Sequence, residues 1–346
     1  MRRPTRASWF LSLVFAACSS GGISEDGGVD ASFVDAWAGD ARGDAAALDA
    51  LTWREGAPCP MARFESLGVV VEDRLWVMGG FTSADLRVTP RIDIYDVATD
   101  SWERGPDLRG AETHFGTFFY NGEVWFVGGF SGWPARVMSD VWRYRYADDT
   151  WSQGPALPQS GAGASVALVG TTLHHAGGLN DASDADVDEH FVLDLVNPTA
   201  WRSLASLDNP RNHLAGVASG SRMWAIGGRH IWDEADGQLS DVHAYDSDGD
   251  AWITGPSLPS GRSEIAASSF ATEDGIFVIG GSTAGVQPTA DVLFLANGAS
   301  LWRALTPLPE PRKGAVAARI GNQIVVTTGS PTSTDPSSTT YIGCCL

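Results

Sequence analysis

Short apolar runs alternate with polar turns along most of this chain, and the same order of runs returns at a fixed interval. In one complete unit, residues 113–120 form an apolar, β-prone run, the pair Asn121-Gly122 favours a turn, and residues 123–129 form a second run. A third run lies at residues 140–146, and a fourth begins at Trp151. The unit shows no helical period, so the pattern predicts four antiparallel strands per unit.

Two marks recur with this unit and set its length. A tryptophan returns every 49 to 51 residues, at positions 53, 102, 151, 201, 252 and 302. A glycine pair ends the second apolar run of five units, at 79–80, 128–129, 177–178, 227–228 and 280–281, and Thr328-Gly329 stands at the sixth position. Such a period over nearly 300 residues predicts one supersecondary unit repeated six times.

These marks resemble those of the Kelch-repeat β-propellers, in which an apolar strand, Gly-Gly, a tyrosine and a later tryptophan define each blade. The matching tyrosines are Tyr95, Tyr144, Tyr245 and Tyr341. The third and fifth repeats depart from the pattern, with Leu193 and Phe294 near the tyrosine position. The resemblance covers residues 51–346 and implies that each unit is one propeller blade.

The two ends of the repeat region predict how the ring closes. The region begins with a Trp53 strand and ends, at residues 337–346, with a strand that has no tryptophan strand after it. Joining them gives an all-β, six-bladed β-propeller of four-stranded antiparallel blades, whose closing blade is shared between the N- and C-terminus. Matching Tyr341 to Tyr95 further predicts that Trp53 packs beside Tyr341.

The front of the chain predicts export and anchoring. Arginines at positions 2, 3 and 6 precede a short apolar run that ends in Ala16-Ala17-Cys18, so residues 1–17 are interpreted as a signal peptide. Cys18 after Ala-Ala resembles a bacterial lipobox and is the candidate for lipidation, with ordinary cleavage as the alternative. Residues 18–50 are acidic and poor in large apolar residues, which predicts a disordered tether. We therefore expect an exported protein, lipid-anchored in the bacterial cell envelope, with residues 51–346 as the propeller.

Charge and spacing exclude several classes of function. A net charge of −19 argues against nucleic acid and anionic lipid as partners, so we expect membrane contact only through the anchor. No catalytic triad, phosphate loop or zinc-type spacing is present, and the sequence predicts no cofactor, metal or catalytic residue. Repeat matching places Cys344 and Cys345 at a turn and Cys59 at the opposite end of the closing blade, which opposes a disulfide. We expect a monomer.

The candidate binding face carries the longer loops and the start of each innermost strand. Residues ten and twelve positions after each tryptophan converge there, and the polar ones are predicted to bind ligand at the channel mouth: Arg63, Glu65, His114, Arg211, His213, Arg262, Glu264 and Arg312. The large contact residues of the loops complete the predicted site: Trp133, Arg136, Arg229, His230 and Trp232. The alternative for the arginines is that they form inter-blade ion pairs and brace the ring.

Two classes of function remain open at this point. The leading hypothesis is a non-enzymatic module that binds a protein or a glycan. The alternative is a secreted sugar-processing enzyme, because the resemblance extends to six-bladed Kelch proteins that act as sialic-acid mutarotases or epimerases. A purely structural subunit of an envelope complex is the second alternative. A fold alone does not decide among these functions.

Overall fold

The computed structural model describes residues 51–132, 135–182, 185–231 and 237–345. Within these ranges the chain forms 29 β-strands and two short 3-10 turns, at Ala266–Ser268 and Ala284–Val286. None of the helices in this part of the chain is long and apolar enough to cross a membrane. The predicted signal peptide, tether and Cys18, and the loop residues Trp133 and Trp232, lie outside the described residues.

Six four-stranded antiparallel sheets form the blades, which confirms the predicted fold class. Blades 1 and 2 consist of β2 (Leu67–Val71), β3 (Arg74–Met78), β4 (Arg91–Asp96) and β5 (Ser101–Asp107), then β7 (Gly116–Tyr120), β8 (Glu123–Val127), β11 (Val141–Arg145) and β12 (Thr150–Gln153). Blades 3 and 4 consist of β13 (Ser165–Val169), β14 (Thr172–Ala176), β15 (His190–Asp194) and β16 (Arg202–Leu204), then β17 (Ala215–Ser219), β18 (Arg222–Ile226), β19 (Val242–Asp246) and β20 (Ala251–Thr254).

Blade 5 and the closing blade complete the ring. They consist of β21 (Ser269–Thr272), β22 (Gly275–Ile279), β25 (Val292–Ala296) and β26 (Arg303–Ala304), then β27 (Val316–Ile320), β28 (Gln323–Thr327), β29 (Thr340–Cys345) and β1 (Leu51–Gly56). Short strands extend the loops: β6 (Glu112–Thr113), β9 (Phe130–Ser131), β10 (Arg136–Val137), β23 (Ser282–Thr283) and β24 (Gln287–Pro288). The innermost strands β2, β7, β13, β17, β21 and β27 lie next to one another in that order, and β27 returns to β2.

The closing blade joins the two ends of the repeat region, as predicted. Strand β1 pairs with β29 in antiparallel register from Leu51 opposite Cys345 to Gly56 opposite Thr340. Trp53 packs against the core cluster that contains Tyr341, as expected, but the residue directly opposite it in the strand register is Gly343, two positions further on. A Cβ on Gly343 would lie 2.7 Å from the Trp53 ring, so this glycine leaves room for the indole. Cys59 and Cys344 are both free thiols.

Backbone hydrogen bonds fasten each blade to the next. The second glycine of each pair donates its N–H to the carbonyl of the residue ten positions after the tryptophan in the following blade, as in Gly178 to Arg211 at 2.8 Å. The same bond from Gly329 to Arg63, also 2.8 Å, joins the closing blade to blade 1. A Cβ on the first glycine of a pair would collide with this carbonyl, at 2.4 Å between Gly128 and Gly161. Glycine at the first position therefore makes room for the approach of two backbones, and at the sixth junction Thr328 takes this position with φ +59°.

The repeated tryptophans pack between neighbouring blades. Four of the six indoles donate their N–H to a backbone carbonyl about one repeat earlier in the chain, at 2.8 to 2.9 Å, namely those of Trp102, Trp201, Trp252 and Trp302. The indole of Trp53 donates to the carbonyl of Thr306, at the end of blade 5, at 3.1 Å. An indole buried between sheets needs such an acceptor, since its N–H cannot reach water. At five of the six blade junctions, neighbouring blades are thus held together by both apolar area and an indole hydrogen bond.

Candidate functional site

A cavity of about 730 Å³ opens on the face that carries the longer loops. Its floor is polar and includes Glu65, His114, His213, Glu264 and Lys313. Below the floor the channel narrows, and this segment has a volume of about 40 Å³, which is room for only a few water molecules. A volume of this size lies within the range of ligand pockets in proteins, so this face offers a deep cavity for a ligand, closed at its base to anything much larger than water.

The floor is a ring built from one residue of each blade. The residues twelve positions after the tryptophans share a left-handed backbone, with φ between +50° and +61°: Glu65, His114, Gly163, His213, Glu264 and Gly314. Five of them donate a backbone N–H to the equivalent carbonyl of the preceding blade, at 2.7 to 3.1 Å. At the sixth junction, Thr113 Oγ1 donates to the Glu65 carbonyl at 2.7 Å. The structure therefore brings together the four side chains that repeat symmetry predicted.

Backbone strain at this ring points to a role for its side chains. Gly163 and Gly314 show that glycine satisfies the geometry, since it adopts positive φ without strain. Glu65, His114 and His213 adopt the same conformation at a cost of roughly 1–2 kcal/mol each. Strain of this kind concentrates at binding and catalytic sites, where the role of the side chain outweighs the conformational cost.

The two histidines and Glu65 form one connected network on the floor. His114 Nε2 lies 2.9 Å from Glu65 Oε2 and 3.0 Å from His213 Nε2. On the other side of its ring, His213 Nδ1 contacts Asn212 Oδ1. Because Asn212 Oδ1 can only accept, His213 carries its proton on Nδ1 and presents a lone pair at Nε2.

A second group of charges lies beside this network. Glu264 forms ion pairs with Lys313, at 3.0 Å, and with Arg229, at 3.3 Å. Arg229 also places Nη2 3.3 Å from His213 Nε2. The pairs neutralise one another, so the floor holds a balanced set of charges out of bulk water.

Burial and neighbouring charges shift the pKa values of these groups in opposite directions. Burial alone would raise the pKa of Glu65, but the charge and hydrogen bond of His114, with the charges of Lys313 and Arg229, lower it to about 2. Burial lowers the pKa of His213 well below its ordinary value, and the charge of Arg229 adds to the effect. Burial also raises the pKa of Glu264. At neutral pH Glu65 is therefore an anion beside a neutral His213.

Six residue pairs, one from each blade, surround the cavity, and seven of their side chains line it: Phe64, Phe81, Phe130, Leu179, Asn212, Arg229 and Lys313. In every blade, the residue eleven positions after the tryptophan bridges to the residue that follows the glycine pair. Blades 1 to 3 contribute apolar or small pairs, namely Phe64 with Phe81, Thr113 with Phe130 and Ala162 with Leu179. The other three blades contribute polar pairs, namely Asn212 with Arg229, Ser263 with Ser282 and Lys313 with Ser330. The ring is thus apolar on one side and polar on the other.

Loop tips extend the apolar lining of the cavity. Leu86 and Val286 line it from the loops of blades 1 and 5, and both have positive φ, +57° and +58°. A β-branched residue such as valine rarely adopts this conformation, so Val286 is held there by its loop. The third apolar loop residue of the lining is Ile231.

The four predicted arginines do not line the cavity. Arg63, Arg211, Arg262 and Arg312 are at most 1% exposed. Their guanidinium groups bind inside the blade that each one enters: Arg63 pairs with Asp93 at 2.6 Å, and Arg211 donates to the Gly227 carbonyl at 2.8 Å. Their position matches the bracing alternative, with the difference that each arginine fastens a loop to its own blade and does not pair across blades.

The predicted loop residues divide in a different way. Arg229 joins the charges of the floor, and His230 lines the cavity while its Nε2 lies 3.1 Å from Asn209 Oδ1. Arg136 is exposed in β10, away from the cavity lining. Sequence reasoning missed Lys313, Asn212 and Phe64, which lie eleven positions after a tryptophan, and Phe81 and Phe130, which directly follow a glycine pair. Both positions repeat as strictly as the tryptophan and the glycine pair themselves.

Comparison with known proteins agrees with the fold. The Kelch motif family matches residues 62–109 and 113–158, which correspond to the first two blades and the loops that enter them. Kelch repeats are generally protein-binding modules. No curated protein matches the chain.

Proposed function

We propose that the chain is a non-enzymatic binding protein that holds an amphipathic segment of a partner protein in the cavity of its loop face. The observation that carries the proposal is the division of the cavity lining into an apolar side and a polar side: Phe64, Phe81, Phe130 and Leu179 face Asn212, Arg229 and Lys313. A ligand with one apolar and one polar side would satisfy both halves, because buried polar groups need partners and apolar walls gain by excluding water. The Kelch motif supports a protein as the partner.

The same proposal includes where the protein works. A signal peptide at residues 1–17, lipid on Cys18 and a tether over residues 18–50 would display a monomeric propeller from the bacterial cell envelope. An acidic tether of this composition stays extended and would hold the cavity away from the lipid surface. The support for this part is the sequence alone.

Introducing a charge into the hydrophobic lining tests the binding role. Leu86→Asp and Val286→Asp place carboxylates in the cavity but leave the blade core intact, since both residues lie in loops and are half-buried. Chemical cross-linking in envelope preparations, followed by quantitative mass spectrometry, should show a partner that the wild type captures and both variants lose. Glu273→Ala, on an exposed turn of the opposite face, is the matched control and should retain the partner. A partner that binds all variants equally, or is lost only with Glu273→Ala, would place the binding surface elsewhere.

A sugar-processing enzyme is the second candidate, and the floor network favours it. Glu65 and His114 form a 2.9 Å contact at the base of a blind cavity, where a carboxylate and an imidazole could exchange protons with a sugar. Proton NMR of sialic acids and other reducing sugars, with and without the protein, measures anomer exchange directly. Faster exchange that Glu65→Gln abolishes would replace the binding proposal with the enzymatic one.

A further inference from the structure

We propose that the floor of the cavity is a binding site for one divalent first-row transition-metal ion. The ligands are Glu65 Oε2 and the Nε2 atoms of His114 and His213. This site is independent of which molecule fills the cavity above it.

The three donor atoms already have the spacing that one ion requires. Glu65 Oε2 and His114 Nε2 are 2.9 Å apart, the two Nε2 atoms are 3.0 Å apart, and all three donors lie within 4.8 Å of one another. Metal–ligand bonds of roughly 2.0–2.2 Å place neighbouring donors about 2.9–3.4 Å apart. A small movement of Glu65 toward His213 is enough to close the set, and the remaining coordination positions face the cavity.

The surroundings of His213 are those of a metal ligand. Its Nδ1–H donates to Asn212 Oδ1, which fixes the tautomer and leaves the Nε2 lone pair directed at the other two donors. Asn212 is held in turn by its amide contact with Asp186 Oδ1. The backbone of all three ligands belongs to the hydrogen-bonded ring, so little ordering remains to be done on binding.

The proton balance requires a change at His114. In the absence of metal, its Nε2 faces a carboxylate and a lone pair, so this nitrogen carries the ring proton. To bind the ion, His114 gives up the proton on Nε2, which moves to Nδ1 of the same ring or leaves to the solvent. Glu65 enters as a carboxylate.

The charges around the site favour a cation, with one exception. Glu65 is an anion, and the Lys313 ammonium is engaged by Glu264 at 3.0 Å. Arg229 is the exception, because its Nη2 lies 3.3 Å from His213 Nε2 and repels an ion there. Its side chain borders the cavity and has room to swing away, so its removal should strengthen binding. This expectation is specific to a cation and would be reversed for an anionic ligand.

The ligand set indicates the class of metal. Two imidazoles and one carboxylate suit Zn²⁺, Co²⁺, Ni²⁺, Mn²⁺ or Fe²⁺, whereas Mg²⁺ and Ca²⁺ prefer oxygen ligands. The three ligands come from blades 1, 2 and 4 and are 49 residues or more apart along the chain, so no short sequence motif contains them.

Calorimetric titration of the tag-free, full-length protein with Zn²⁺ tests the site, with Co²⁺ as an optical probe. The wild type should bind one ion, and the Co²⁺ complex should show visible bands without a thiolate charge-transfer band. His114→Gln and His213→Gln should each weaken binding at least tenfold, and Asn212→Ala should weaken it about tenfold through the orientation of His213. Arg229→Gln should tighten binding at least tenfold, whereas His230→Gln, a cavity histidine outside the set, should leave it unchanged.

Several results would overturn the proposal. They are the absence of saturable one-to-one binding to the wild type, equal binding by all histidine variants, weaker binding by Arg229→Gln, or a thiolate band in the Co²⁺ complex. Thermal melts in the presence of a chelator check that each variant folds. If a histidine variant fails to fold, Glu65→Gln and Arg229→Gln decide the question, because their expected effects have opposite signs.

Discussion

Acidification should destabilise this propeller through histidines buried in blade 3. His174 and His175 lie on β14, and His190 lies on the neighbouring strand β15, opposite Ala176. His174 Nδ1 is 2.9 Å from His190 Nε2, and the His190 ring packs against Tyr245 of blade 4, with 4.5 Å between ring centroids. A second proton on any of these rings would put a charge into the interface between two blades.

The pKa values give the direction and the pH range of the effect. Burial lowers the pKa of His174 to about 4 and of His175 to about 4. Burial, followed by the charge of His174, lowers the pKa of His190 to about 3. The unfolded chain binds these protons near pH 6.5, whereas the folded chain binds them only near pH 4 and 3. The free energy of unfolding is therefore at its full value above pH 6.5 and decreases as the pH falls toward 4 and 3.

The magnitude follows from proton linkage. For a folded pKa near 4 and an unfolded pKa near 6.5, each histidine removes about 1 kcal/mol of unfolding free energy at pH 6 and about 2 kcal/mol at pH 5. The three together remove about 6 kcal/mol at pH 5, which is a large part of the 5–15 kcal/mol that stabilises a typical domain. His213, whose pKa is also lowered by burial, acts in the same direction.

Urea unfolding at pH 7, 6 and 5, followed by tryptophan fluorescence, measures the loss. The double variant His174→Gln, His190→Gln should lose about 4 kcal/mol less than the wild type between pH 7 and pH 5, whatever its stability at pH 7. His230→Gln, which removes a histidine at the cavity, is the control and should behave as the wild type. If the double variant and the wild type lose equal free energy over this range, these two histidines do not titrate as their burial requires.

Three further predictions concern closure, anchoring and the glycine pairs. Deleting residues 51–57 should lower the melting temperature sharply, because it removes an outer strand and the half-buried Trp53, and a fully buried tryptophan alone contributes about 3–5 kcal/mol, whereas deleting residues 19–48 should not; equal melting temperatures would contradict the closure. Cys18→Ser should move the protein from the membrane to the soluble fraction of a bacterium that processes lipoproteins, and a wild type already soluble there would show that it is not anchored. Gly128→Ala should destabilise by more than about 1 kcal/mol in chemical unfolding, since its Cβ would meet the Gly161 carbonyl at 2.4 Å, and an unchanged midpoint would refute this steric role.

The blades were predictable because packing fixes the same residue type at the same place in each unit. A tryptophan between blades and a glycine pair at the close approach of two backbones both tolerate few replacements, so they survive as visible marks. The register of the last strand was not predictable from Tyr341. Gly343, and not a tyrosine, lies opposite Trp53. Because glycine has no side chain, it gives no signal by which this strand can be aligned with the equivalent strands of the other repeats.

The candidate site was predictable only in part, because spacing does not reveal the sign of φ. Arg211 and His213 are two residues apart and both repeat around the ring. Arg211 turns its side chain into the blade, whereas positive φ at His213 turns the imidazole toward the channel. The wall pairs were invisible for another reason: Phe81 and Arg229 occupy equivalent positions and share no chemistry. Residues that face a ligand differ from one repeat to the next, so their positions carry no common residue type that the sequence would reveal.

The pairing of β1 with β29 also sets the order of folding. Strand β1 is synthesised first, but its partner β29 lies at the far end of the chain. At about 5–20 residues per second, synthesis of the chain between them takes roughly 15–60 s. Until then β1 is an open strand edge, and the most complementary surface near it in a crowded compartment is the β29 edge of another copy. Exchange of β1 between copies reproduces every native hydrogen bond, so the closure that seals one ring can also link two rings into a domain-swapped dimer.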